Sequence, residues 1–303
     1  PTAVLQVDFD RTFSGLMNSI GTVHVSSAAT ATMNGPAFTT TNLILSGSGG
    51  LAGSAPVTVR SGFLWAGGSI ANPSLTTNPG SNMTITAPNA TLPAVSNING
   101  SVGLLLANLD LNGNTLQLNN GSALAGTGVV TGDVVNNSGF LLTGGLGSIG
   151  ALQVTGNYTQ NAGGVMVVEV FNNGVSTVSD ILRVDGLATL GGTLVIGFVT
   201  NSLGLVTGSF IPFDFRGGLA GSFSQVIDAG GNILGISVNG PFVTIVGVNP
   251  DVPKELIQAL IDFLVDKEKR EQAIKDNKAQ SEKVIDEILD EEAEGDDSLL
   301  VCI

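Results

Sequence analysis

Apolar residues in this chain recur two positions apart. Leu43–Leu45, Val57–Val59, Leu109–Leu111, Leu116–Leu118, Leu152–Val154, Leu182–Val184 and Leu194–Ile196 are such pairs, five of them broken by a polar or charged residue and two by Ile44 or Val195. A period of two sends the aliphatic side chains to one face of a strand and Asn, Gln or Thr to the other. Between the pairs lie "NGN" (112–114), "NNGS" (119–122), "NNSG" (136–139) and "NAGG" (161–164). Gly and Asn accept the positive φ that tight corners demand. The stretch "ALQVTGNYTQNAGGVMVVEV" (151–170) carries one charged residue, Glu169. The units repeat at roughly twenty residues, with a spacing that drifts. Such drift fits stacked coils of short strands, which take loops at corners provided each inward side chain lands above the last. The pattern predicts an all-β parallel β-helix with Leu, Val and Ile inside and Thr, Asn and Ser outside. A β-sandwich would carry more core aromatics. An outer-membrane barrel would need aromatic girdles, whereas Trp65 and Tyr158 are the sole Trp and Tyr.

The pattern changes near Pro250. From "VPKELIQALIDFLVDKEK" onward the apolar period is helical: Leu256, Leu260 and Leu264 recur every four residues, and Phe263 widens the stripe. The expected organisation is a β-helix over 1–250 and an acidic α-helical tail over 251–303 that ends in the apolar "SLLVCI". Stacked coils leave unpaired backbone groups at each end of a rod, and these invite a cap or another strand. Leu256, Leu260, Phe263 and Leu264, with Leu299, Leu300 and Cys302 at the apolar end, are the candidate assembly and capping residues. Cys302 is the single cysteine, either an inert end residue or the site of an intermolecular disulfide.

Charge follows the same boundary. Residues 1–250 hold nine acids, four Arg and no Lys, whereas 251–303 hold sixteen acids and seven bases, for a total of −14. An acidic chain without a basic patch argues against nucleic-acid partners and against an electrostatic anchor on anionic lipid. No uninterrupted apolar run reaches the ~18 residues of a membrane-spanning helix.

Catalytic chemistry has little to work with. The acids of the first 250 residues are scattered singly, apart from two pairs. "DFDR" sets Asp8 and Asp10 on one side of a strand beside Arg11, either as a cation site or, more simply, as a solvated edge that discourages pairing. In "DILRVD", Arg183 and Asp185 share a face and read as a surface ion pair, with Asp180 nearby. His24, the only histidine, reads as a polar strand residue. Trp65 reads as core or cap, with sugar stacking as the alternative. No Ser-His-acid set, transition-metal site or cofactor motif can be assembled, so no catalytic, cofactor or metal residues are assigned.

The order of motifs carries a resemblance. "GTGVVTGDVVNNSG" (126–139), "GALQVTGNYTQNAGGVMVVEV" (150–170), "SDILRVDGLATLGGTLVIG" (179–197), "GSFIPFDFRGGLAGSFSQV" (208–226) and "PFVTIVGV" (241–248) resemble bacterial autotransporter passengers. They resemble filamentous-haemagglutinin-like adhesins of two-partner secretion equally well. "NLILSGSGGLAG" (42–53) and "GFLWAGGSI" (62–70) look like rungs of the same type. The resemblance implies a right-handed parallel β-helix at a bacterial cell surface or released from it. This chain departs from the pattern in two ways. It reads "FLLTGGLGS" where the family often has a Pro-Gly-Ser corner, and the acidic tail stands where a membrane barrel would follow, which favours export through a separate partner. The expected function is a structural or adhesive surface protein, not an enzyme, that forms homo-oligomers or head-to-tail filaments and meets a host or neighbouring cell surface. The alternative is a polysaccharide-cleaving β-helix enzyme, which requires carboxylates converging in an outer groove.

Overall fold

A computed structural model of the protein describes residues 4–172, 177–199, 208–228, 233–239 and 242–249. The tail over 251–303, with Leu256, Leu260, Phe263, Leu264, Leu299, Leu300 and Cys302, lies outside the described residues. Those described contain strands and no helix, and nearly all strand pairs are parallel. The architecture is a parallel β-solenoid.

Each coil contributes a short strand to each of three walls. The first wall contains Val4–Val7, Asn82–Ile85, Phe140–Thr143, Val165–Asn172, Thr193–Phe198 and Gln225–Asp228. The second contains Arg11–Phe13, Thr30–Met33, Gly50–Ala52, Ala151–Val154, Ile181–Val184 and Phe213–Phe215. The third contains Ser74–Thr77, Val95–Ile98, Tyr158–Gln160, Ala188–Leu190 and Leu219–Gly221. Long strands such as Ser101–Leu118 bend round the corners and serve all three walls.

The core is a set of vertical aliphatic columns. In the first wall Leu5, Val23, Leu43, Phe63, Met83 and Val102 stand in register, and the column continues through Leu124, Leu141, Met166, Leu194 and Val226. All but the first and last are buried. The second wall stacks Leu109, Val130, Val154 and Val184 in the same way, and the third stacks Leu116, Val134, Tyr158 and Ala188. Every period-two pair named from the sequence lies in this core. Trp65 is fully buried, stacked on Phe63 at 5.3 Å, with its indole N–H donating to the Gly68 carbonyl. It is a core residue.

The corners explain the Gly and Asn usage. After the first wall, "SGSGG" turns so tightly that a side chain at Gly49 would run into the Ala29 carbonyl of the coil beneath. Asn119, Asn137 and Asn161 hydrogen-bond in a row from coil to coil, at 3.0 and 2.7 Å. Inside the third wall, fully buried Asn136 donates to the Val165 carbonyl and accepts from the Gly139 N–H.

Early coils keep the expected spacing, with Val23, Leu43, Phe63 and Met83 twenty residues apart. Later coils are longer, and the added residues all leave at one corner, between the first and second walls. They are the loop 144–150, a hairpin in which Val165–Asn172 pairs antiparallel with Thr177–Ser179, and the stretch after Thr193–Phe198. Beyond the last coil the pairing turns antiparallel. Gly208–Phe210 pairs with Phe242–Asn249, which pairs with Ile233–Asn239, which meets Gln225–Asp228 at Ile227 and Ile233. Among the described residues these strands join the last first-wall strand at that one bridge.

Candidate functional site

The eight acids of the β region whose side chains are described are each engaged by a hydrogen bond or an ion pair. Asp8 accepts from the Gln6 amide and the Ser26 hydroxyl, and these bonds hold its carboxyl below the usual range. Asp10 accepts from the Thr30 N–H, Asp110 from the Asn112 N–H and Asp133 from the Asn157 N–H. Each of these carboxylates secures a turn. Arg11 lies 4.0 Å over the Phe9 ring, so "DFDR" does not fold into a converging cluster. No group of three or more His, Cys, Asp or Glu side chains among the described residues is placed to hold a metal. His24 bonds the Ser46 hydroxyl at 2.8 Å, and burial depresses its basicity.

Arg183 and Asp185 share a face, as expected, but each finds its partner in another coil. Arg183 meets Asp214 at 2.7 Å, while Asp185 accepts from Gln153 at 2.7 Å and lies 3.6 Å from Arg216. The Arg183 hydrogen bond holds the Asp214 carboxyl below its usual range, with Arg216 adding to the effect. A shallow depression of about 280 Å³ lies on the second wall, lined by Asn89, Thr91, Asn108, Asp110, Val129 and Thr131.

The remaining acids, Glu169 and Asp180, differ from the rest. They are 7% and 0% exposed and come together where the hairpin leaves the rod. The Asp180 carboxylate accepts from the Gly150 and Glu169 N–H groups, both at 2.9 Å, and its own N–H donates to the Glu169 carbonyl. Glu169 accepts from the Gly147 and Ser148 N–H groups, at 2.7 and 3.2 Å. Two carboxylates from the hairpin thus gather three N–H groups of the 144–150 loop. Burial pushes the Asp180 acid up to about 8, with hydrogen bonds opposing the shift and the Glu169 charge adding to it. The sequence offered no sign of this pair, because eleven residues and a hairpin separate its members.

The same corner displays apolar side chains. Leu105, Leu106, Ile149, Val178, Ile181 and Ile211 are exposed and fall at this edge of the rod, with one coil that carries Thr127 there lying between Leu106 and Ile149. Leu106 is 82% exposed and left-handed, with φ of 54°, at a register shift in its strand. A side chain held in that region costs on the order of 1 kcal/mol or more, and such strain collects at functional surfaces. The corner therefore combines a buried acid pair, a strained backbone and an apolar ridge, whereas the walls are regular and polar.

No family model, curated protein or solved structure matches this chain. The site is therefore described by its own geometry: an apolar edge carried on loops that two buried carboxylates hold down.

Proposed function

We propose that the protein is a secreted or cell-surface structural and adhesive β-solenoid, wound right-handed as parallel crossovers nearly always are. The observation that carries the reading is the unbroken first-wall column from Leu5 to Val226. It makes a stiff spar whose outer face is Thr, Asn and Ser. Adhesion falls to the loop-bearing corner, because apolar residues exposed in a line on a polar surface mark a contact surface. The motif order that resembles autotransporter passengers and two-partner adhesins supports a place outside the cell. Among the described residues no helix is long and apolar enough to cross a membrane.

Assembly is the second part of the reading. Among the described residues Val4–Val7 and Arg11–Phe13 each pair with one other strand, and Val4, Phe9 and Leu16 are exposed beside them. An edge of this kind accepts another strand. The polysaccharide-cleaving alternative asks for acids that meet in an open groove. Among the described residues, Glu169 and Asp180 are buried instead, and the half-exposed Asp185 and Asp214 are tied up by Arg183 and Arg216.

Two measurements test the reading. Beads coated with the purified protein should be retained on cell monolayers, and Leu106→Asp with Ile149→Asp should lower retention several-fold. Retention no greater than with albumin-coated beads would refute adhesion. Negative-stain microscopy over a hundredfold concentration range should show rods joining at their ends. Single rods at every concentration would refute assembly.

A further inference from the structure

We propose that Ser46 and His24 form a nucleophile–base pair on the outer face of the first wall, with Asp8 as its positioning residue, and that the pair hydrolyses small aryl and short-chain esters. The inference rests on side-chain geometry and stands whether or not the protein is an adhesin.

Stacking assembles the pair from three coils. Gln6, His24, Ile44 and Leu64 follow one another in register along the outer face, one in each coil. Asp8, Ser26 and Ser46 stand two residues after the first three of these, in the next outward row. Across the rows His24 Nε2 lies 2.8 Å from Ser46 Oγ, the separation of a nucleophile and the base that takes its proton. Asp8 is anchored by the Gln6 amide and the Ser26 hydroxyl, which also keep it ionised at neutral pH. Among the described residues Asp8 is the charged group whose field reaches His24.

Three further features suit the pair to acyl transfer. Burial keeps the imidazole neutral near pH 7, so Nε2 is free to accept a proton, while the Asp8 charge favours the imidazolium once it forms. Ser46 opens the tight corner "SGSGG", and the N–H of Gly47, the next residue, has no hydrogen-bond partner among the described residues. That N–H is the donor at hand for an oxyanion on the carbon that Ser46 attacks. In the preceding coil Ser27 is left-handed, with φ of 54°, and its carbonyl accepts from both the Ser48 and Gly49 N–H groups. Strain of this kind collects at functional sites. Half-buried Ile44 and Leu64, in the His24 row, give apolar ground for an aryl or alkyl leaving group.

The reaction balances with water as the co-reactant. Ser46 Oγ attacks the ester carbonyl carbon as His24 Nε2 takes its proton, and the carbonyl π pair moves onto oxygen. Collapse of the oxyanion breaks the bond to the alcohol oxygen, which leaves with the proton from His24. Water, deprotonated by His24, then attacks the acyl–Ser46 ester, releasing the carboxylic acid and restoring the serine.

Hydrolysis of 4-nitrophenyl acetate by the full chain tests the pair. Ser46→Ala and His24→Gln should each lower kcat/KM by about 100-fold or more, whereas Thr84→Ala, farther along the same outer row, should change it less than about twofold. Asp8→Asn should lower kcat, leave KM unchanged and move the acid limb of the pH–rate profile to lower pH, because the charge that raises the His24 basicity is gone. Diisopropyl fluorophosphate should lose fluoride and leave one diisopropylphosphoryl group on Ser46, located by peptide mass spectrometry. A wild-type rate no greater than that of S46A, or a rate lost in H24Q but kept in S46A, would overturn the proposal. Should a variant fail to fold, labelling of the wild type decides alone: a group on Ser46 supports the pair, whereas none, or one on another residue, overturns it.

Discussion

Leu43→Ala tests the column directly. Leu43 is fully buried, between in-register Val23 below and Phe63 above. Losing the equivalent of three methylene groups forfeits ~2.4 kcal/mol of transfer free energy, at ~0.8 kcal/mol each. The cavity adds to this, and buried Leu→Ala changes run from about 2.7 to 5.0 kcal/mol depending on how far the site collapses. Collapse is restricted here, because hydrogen-bonded ladders hold the coils ~4.8 Å apart and the neighbouring side chains cannot move along the rod into the void. The expected loss is therefore about 4 kcal/mol. Because each coil touches only its neighbours, the loss should appear locally. Native-state hydrogen exchange should show amides of Met17–Val25, Phe38–Leu45 and Val57–Trp65 deprotected far more than those of Ile181–Val184. Val4→Ala, at an exposed position, is the control and should change stability by less than ~0.5 kcal/mol. A loss below ~1 kcal/mol for L43A, or equal deprotection along the whole rod, would refute the stacked-column account.

Other perturbations test other parts of the structure. Gly49→Ala places a methyl group against the Ala29 carbonyl and should cost about 1–3 kcal/mol in thermal or urea unfolding, whereas Gly80→Ala meets no such neighbour and loses only to its positive φ. Asn136→Ala strands the Gly139 N–H and removes one of two bonds to the Val165 carbonyl, and should cost about 1–3 kcal/mol by urea unfolding. Arg183→Ala breaks a half-exposed pair with Asp214 and should cost less than ~1 kcal/mol, fading further in 1 M salt. The Asp180 acid is raised from 3.8 to about 8, so the folded state binds the extra proton between those values. Wild-type stability should therefore fall as pH rises from about 4 to about 8 and level off above, by at most ~6 kcal/mol at ~1.4 kcal/mol per pH unit. Asp180→Asn should flatten that slope in urea titrations, and a slope of the opposite sign would refute the assignment.

The walls were legible in the sequence because their determinants are local. Alternation at i and i+2 decides which side chain faces inward, and each pair chosen by that rule, from Leu43–Leu45 to Leu194–Ile196, is buried. Gly-rich stretches such as "SGSGG" marked corners for an equally local reason. Pairing between coils is not local. Arg183 and Asp185 sit two apart at the end of one strand, where extended side chains are ~6.8 Å from each other, whereas the next coil lies only ~4.8 Å away. Asp214 therefore takes Arg183, and nothing in the spacing along the chain announces it. Glu169 read as a solitary acid and Asp180 as a neighbour of Arg183 for the same reason: a change to antiparallel pairing brings the two acids together, and period-two alternation does not distinguish parallel from antiparallel partners. "FLLTGGLGS" read as a departure from a familiar corner, and the structure shows that it begins the loop these two acids hold.

The division between walls and corner follows from the geometry of stacking. A wall position has the same position of the next coil ~4.8 Å above and below it, so any change there must fit two neighbours at once. A corner from which a loop leaves the stack has no such requirement beyond its flanking strands, unlike the tight early corner at Gly49. The 144–150 loop and the hairpin from Val165–Asn172 to Thr177–Ser179 lengthen their coils, while Leu141, Met166 and Leu194 remain in one column. Residues that a wall would reject thus find a place at the corner: a left-handed Leu106, exposed Ile149 and Val178, and two carboxylates buried side by side. Their energetic costs are met by the columns, which contribute stability at every coil. A spar of this kind can change what it touches by changing one edge, and its stiffness does not depend on what that edge carries.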